Sequence, residues 1–127
     1  MTQAQADITA SLKALQNLPI DPSLALIFPG QGAQKAGMGF QAWESSTRAR
    51  KTFEAADEVL GSTLSRLCFE GPEDELTRTV NAQPSILATS LAILAAALES
   101  GVLNKRPAFL AARPRRGRPR KCVQRFS

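Results

Sequence analysis

Ten consecutive residues, Ala112-Arg-Pro-Arg-Arg-Gly-Arg-Pro-Arg-Lys121, hold almost nothing that a core can bury. They have no hydrophobic period, are interrupted by proline and glycine, and carry six positive charges. Such a run cannot offset the entropy of ordering it, and is expected to be disordered when free. The charge divides at nearly the same place. Residues 1–104 contain seven basic side chains and all 11 acidic ones, whereas residues 105–127 contain nine basic and none acidic. The net +5 of the chain is therefore the sum of an acidic body and a strongly basic end. Three parts follow: an arm (1–23), a patterned region (24–111) and a basic tail (112–127).

At 127 residues the chain is long enough for one domain at most. It contains no histidine, so no Ser-His or Cys-His catalytic pair can be assembled from these residues. Two cysteines without histidine cannot furnish a tetrahedral zinc site, and no metal is expected. Cys68 and Cys122 stand in dissimilar surroundings and read as free thiols of a reducing compartment. The longest apolar run, Ile86–Leu98, has 13 residues, short of the roughly 20 that cross a bilayer. Residues 1–7 lack the basic start and apolar stretch of a secretory signal. A cytoplasmic protein without membrane contact is expected.

Ile8, Leu12 and Leu15 suit a short helix over residues 3–17, ended by Pro19 and Pro22. Leu24-Ala-Leu-Ile-Phe28 is a continuous apolar run between turn residues and predicts a buried parallel strand. Helices are expected near 37–46 and 48–60, the second ended by Gly61. Glu73-Asp-Glu75 suits the first turn of another. The clearest helix has Pro84 at its start, Gly101 past its end, and Leu87, Leu91, Leu94 and Leu98 along one stripe. Ala108–Ala111 begins a second strand. Strand, helices, strand is the order of an α/β fold with a parallel sheet flanked by helices.

The glycines of Phe28-Pro-Gly-Gln-Gly-Ala-Gln-Lys-Ala-Gly-Met-Gly39 fit neither phosphate-loop pattern, because Lys35 and Met38 stand where glycine and lysine are needed. A plain strand-to-helix connection needs glycine at positive φ too. A Gly-Gln-Gly loop after a parallel strand also brings backbone N–H groups close to a ligand, where open α/β sheets place their sites.

Phe28-Pro-Gly-Gln-Gly-Ala-Gln34 with Gly37-Met-Gly39, then Phe69-Glu-Gly-Pro-Glu-Asp-Glu-Leu76, then Thr79-Val-Asn-Ala-Gln-Pro84 resemble the malonyl-CoA:acyl-carrier-protein transacylases, in the family's order. The resemblance runs from about Leu24 to Ala111. It implies the N-terminal part of an α/β-hydrolase-like acyltransferase subdomain, incomplete, and the transfer of malonyl from malonyl-CoA to acyl carrier protein in fatty-acid synthesis. The coenzyme A thioester is then a substrate, and no cofactor is implied. By resemblance Gln31 lends its backbone N–H to the oxyanion hole. Gln83 lies near the site in the family, with a structural role at the helix start equally open.

The family's nucleophile stands in Gly-His-Ser-Leu-Gly directly after the second strand. Here Ala108-Phe-Leu-Ala111 is followed by Ala112-Arg-Pro-Arg-Arg116, and none of Ser85, Ser90 or Ser100 has a Gly-x-Ser-x-Gly setting. Arg78 reads as a solvated helix charge rather than a carboxylate ligand. The expectation is an N-terminal fragment that diverges after about Ala111 and is catalytically incomplete alone. Acyltransferase domains of polyketide synthases share the motifs and are the near alternative. The distant alternative is nucleic-acid binding, since Pro114-Arg-Arg-Gly-Arg-Pro-Arg-Lys121 resembles an AT-hook with core Arg116, Gly117, Arg118 and Pro119. A GC-rich coding region read out of frame yields the same residues, and only weak nonspecific polyanion binding is expected of them.

Overall fold

Pro19 stops the first helix from running into the first strand, and the two meet in a short turn. A computed structural model of the chain describes residues 3–30, 32–112 and 123–125. Helix α1 (Gln3–Gln16) lies against α3 (Thr47–Leu60), with Leu15 buried and Leu12 left 41% exposed. Strand β1 (Ile20–Phe28) begins four residues before Leu24. It accommodates Pro22 because the pairing is irregular between Asp21 and Ala25, where no ladder N–H is needed. The Asp21 carboxylate holds that irregularity by accepting from the Ser23 backbone at 2.9 Å and hydroxyl at 2.6 Å.

Four short or medium helices follow: α2 (Phe40–Ser45), α3, α4 (Leu64–Glu70) and α5 (Glu73–Thr77), the last with its three acidic residues in the first turn. Gly61 ends α3 in the left-handed conformation expected of it. Helix α6 (Thr79–Ser100) then returns to β2 (Arg106–Ala112), which pairs parallel with β1, Leu26 opposite Leu110. This is the expected α/β order, with one parallel pair reached by a helical crossover.

Three expectations need correction. Pro84 is not the start of α6 but lies inside it. The Arg78 carbonyl accepts from both Asn81 and Ala82, at 2.9 and 2.7 Å, and so winds a turn ahead of the proline. Val80, whose carbonyl loses its partner at Pro84, is exposed and open to water. Secondly, the leucine stripe is buried only in part, with Leu94 in the core and Leu91 and Leu98 half-buried. Leu87 is 61% exposed, while Ala82, Ser85, Ala88, Thr89, Ala92 and Ala95 are buried. Small side chains let α6 approach α3 closely around Phe53, which the bulkier leucines would prevent. Thirdly, within the tail Val123–Arg125 forms a strand, β3, antiparallel to β2. The outer edge of β2 offers unpaired backbone groups, and this segment takes them up.

Helix α6 is long and apolar enough, by length and composition, to cross a membrane, unlike the 13-residue run within it. In the structure its small face belongs to the core. That core joins Ala49, Phe53, Leu64, Cys68, Ala88 and Ala92. Phe69 meets Phe53, Trp43 and Phe40 in T-shaped pairs at centroid separations of 4.9, 5.4 and 5.6 Å. Each such pair contributes roughly 0.5–1.5 kcal/mol beyond the area it buries.

The sheet is covered on one side. Leu24, Leu26 and Phe28 are half-buried toward α6, whereas Ile27 is 77% and Phe109 43% exposed on the other face. The continuous apolar run suggested burial on both faces; on the second, Pro107 is buried but Ile27 and Phe109 are left open.

Candidate functional site

A parallel strand pair ends with its loops side by side. Phe28 stands opposite Ala112, so the chain leaving β1 at Pro29 emerges beside the end of β2. The loop from Pro29 to Gly39 turns at once: the Ala33 N–H donates to the Gly30 carbonyl at 3.1 Å. Gly32 adopts φ +106°, a conformation that side-chain-bearing residues rarely take. Its N–H donates to Gln34 Oε1 at 2.8 Å.

The far half of the loop is held from outside. The Gly37 N–H donates to the Cys68 carbonyl at 2.8 Å, and the Ala36 N–H to Glu73 Oε1 at 3.4 Å. Residues 68–73 therefore brace the Ala36–Gly37 half of the loop: α4 supplies a carbonyl and α5 a carboxylate. Gly39 then opens α2, whose Trp43 N–H donates back to the Gly39 carbonyl at 3.0 Å.

Helix α6 runs antiparallel to the strands, because its C-terminal end feeds the start of β2. Its first turns, with Gln83, are thereby placed at the loop end of the sheet. Gln83 Nε2 is buried without a hydrogen-bond partner among the described residues. Next to it Ser85 is fully buried, its hydroxyl lacking a partner of ordinary geometry though it neighbours the Cys68 sulfur. Burial pushes the Cys68 thiol above its ordinary pKa, and the Ser85 and Thr89 hydroxyls oppose that shift. Cys122 lies outside the described residues, while Cys68 is a free thiol and is buried. With its thiolate disfavoured it is a core residue and not a nucleophile.

Between β1 and α6 lies an apolar cleft of about 660 Å³, lined by Leu26, Phe28, Met38 and Ile86, with Thr89 and Ser90 as its polar groups. Ala33 of the loop borders it. Among the described residues no group of three or more Cys, Asp or Glu is placed to hold a metal ion.

Gln31 lies outside the described residues, as do Arg116, Gly117, Arg118 and Pro119. The structure shows the frame on both sides of position 31. Gln34, Glu73 and the Cys68 carbonyl were not anticipated as parts of the site. Contacts from side chain or carbonyl to an irregular loop leave no periodic signal in sequence.

The acyl transferase domain family matches residues 25–111, which include both strand cores, the loop and its braces. The chain belongs to that family. Over 79 residues the chain is 49% identical to the malonyl CoA-acyl carrier protein transacylase of Bacillus subtilis (strain 168), covering 62% of this chain and 25% of that protein. The acyl-carrier-protein-S-malonyltransferase from Bartonella henselae has the same fold at TM-score 0.63 and 44% identity, over 69% of this chain and 29% of that one. A malonyl-transacylase solved in complex with a type II polyketide acyl-carrier protein aligns at TM-score 0.64 and 39% identity, over 70% of this chain and 28% of that one. The chain spans about a quarter of the length of the curated relatives it matches.

Proposed function

We propose that this chain serves the transfer of malonyl from malonyl-CoA to acyl carrier protein, and that its part is the oxyanion loop and the first parallel strands of the catalytic layer. The observation that carries this reading is the hydrogen-bonded turn at Gly30–Ala33, at the carboxyl end of a parallel strand and within the matched segment. A backbone N–H offered there by Gln31 would stabilise the negative charge that develops on the thioester oxygen as it is attacked. One such donor typically accounts for about 2.7–4 kcal/mol of transition-state stabilisation. The reaction needs no cofactor beyond its coenzyme A substrate. These 127 residues hold no histidine and no Gly-x-Ser-x-Gly, so in this reading they supply neither the nucleophile nor its base. A polyketide carrier as the acceptor is a second reading, favoured by the solved relative that holds one.

A chimera tests the proposal. Residues 25–111 replace the matching segment of the Bacillus subtilis transacylase, and malonyl transfer to acyl carrier protein is measured. The chimera should be active and Gln31→Ala should stay near the parent rate, since the backbone is the donor. Gln31→Pro, which deletes the N–H, should lose about 10²–10³ in kcat. A folded but inactive chimera, or full activity of the proline variant, would overturn the reading.

A further inference from the structure

The sequence of β1 and its place in the sheet disagree. Leu24-Ala-Leu-Ile-Phe28 is uncharged and continuously apolar, the composition of a strand inside a sheet. In the structure β1 is an outer strand. The order is β1-β2-β3, so among the described residues β1 has a strand beside it on the β2 side alone. None of its nine residues is buried, whereas Pro107 and Ala108 of the central β2 are. The two edges of the sheet also differ. β3 takes up the far edge of β2. The Leu24–Phe28 edge of β1 carries neither the charge nor the proline that keeps an edge from pairing. Those devices stand only at its start, where Pro22 and the Asp21–Ser23 bonds mark the irregular pairing.

We propose that the open edge of β1 pairs with β1 of a second copy of this chain, antiparallel about a twofold axis at Leu26. Charge selects this arrangement. It sets Leu24 opposite the partner's Phe28, Ala25 opposite the partner's Ile27, and Leu26 opposite the partner's Leu26, with no charge in any pair. Parallel pairing in register would instead stack Asp21 on Asp21 at about 4.8 Å, and like charges so placed repel. In the antiparallel pair each Asp21 lies five positions from the axis, so the two carboxylates stand about 30 Å apart. Leu24, Leu26 and Phe28 line the cleft against α6, and Ile27 is 77% exposed, so the added strand covers apolar side chains on both faces. Because β3 holds the other edge, the sheet closes at two copies instead of growing into a fibre. The pairing belongs to the sheet and does not depend on the transfer reaction.

The test uses the full chain. Sedimentation equilibrium should show monomer passing to dimer as concentration rises, with no larger species. Ala25→Lys, at an exposed position, puts a charge in both Ala25–Ile27 pairs and should weaken the dimer roughly tenfold or more. Phe109→Lys adds the same charge on β2, away from the edge, and should leave the dimer as tight as before; circular dichroism checks that each variant is folded. In a Cys122→Ser background, mild oxidation should link Leu26→Cys chains into a disulfide dimer and leave Asp21→Cys chains unlinked. A chain that is monomeric at every concentration, or a series of species extending beyond the dimer, would overturn the pairing. So would an Ala25→Lys dimer as tight as the parent's, a dimer weakened equally by Phe109→Lys, or linkage at position 21 and not at 26.

Discussion

Gly39 lies so close to the ring of Phe53 that a Cβ built on it would stand 2.6 Å from Cζ, with Thr89 Cγ2 at 3.2 Å on the other side. The glycine is also at φ +81°. Close approach and backbone conformation both demand glycine here, and the same residue joins the loop to α2. The end of the candidate site is thus set by the packing of the core.

Gly39→Ala should therefore destabilise the chain by roughly 2–5 kcal/mol, combining left-handed strain with overpacking. Trp43, the only tryptophan, packs against Phe53 at 6.2 Å and reports the local unfolding by fluorescence in a urea titration. A midpoint unchanged by the alanine would refute the packing described.

The start of α3 is fastened to the end of α6. The Ser46 hydroxyl accepts from the Ala49 N–H at 3.1 Å and donates to the Glu99 carboxylate, which also accepts from the Arg48 N–H at 3.0 Å. The Ser46 bond, then the Arg48 N–H, hold the Glu99 pKa below its ordinary value, with smaller help from the Arg48 and Lys51 charges. A lowered folded pKa gives stability that is complete above the unfolded value of roughly 4.3, and that is lost as pH falls through the folded one. Urea midpoints should drop on acidification below that point, and Glu99→Gln should flatten the drop. Ser46→Ala should cost about 0.5–2 kcal/mol at neutral pH as a lost helix cap. A pH profile identical in parent and Glu99→Gln would exclude the fastening.

Ile27, Phe109, Leu87, Ile93 and Val102 are between 43% and 83% exposed, on the sheet, along α6 and just beyond its end. Exposed apolar surface of that kind favours association. Light scattering of the purified chain should rise with concentration, and Ile27→Lys with Phe109→Lys should suppress it. A soluble monomer with a sharp cooperative thermal transition would show that the surface is better closed than it looks.

Incubation with labelled malonyl-CoA should leave no covalent acyl-enzyme detectable by mass. Ser85 is fully buried and Cys68 is held as a thiol, so neither is a ready nucleophile. A stoichiometric adduct on either would require a catalytic apparatus that works without histidine.

Much of the fold was legible where a local signal and the tertiary outcome agree. Gly61 and Gly101 both end helices in the left-handed conformation, because glycine meets that need whatever surrounds it. The apolar runs at Leu24–Phe28 and Ala108–Ala111 became the parallel pair. Legibility failed where two local readings competed. Pro84 suits a first turn, yet the Arg78 carbonyl could start one earlier. The α6 sequence has a leucine face and an alanine face, and periodicity does not say how far each lies inward; close packing put the alanines innermost and left Leu87 outside, while Ile86 and Leu94 stay buried. In the site, the glycines marked the loop. The bond from Gln34 and the carbonyl from Cys68 depend on how distant or irregular segments meet, and no spacing announces them.

The parallel pairing has a consequence in time. Ile20 meets Arg106 and Phe28 meets Ala112, so β1 has no strand partner until every helix of the crossover has been made and set in place. Pairing over so long a separation is intrinsically slow, and the strand edge stays open to other chains meanwhile. On a ribosome, the turn at Gly30–Ala33 would leave the exit tunnel early yet acquire its neighbouring strand among the last events of folding. The loop is early in the chain and late in assembly, and a pause in synthesis before Arg106 would leave it without its neighbouring strand.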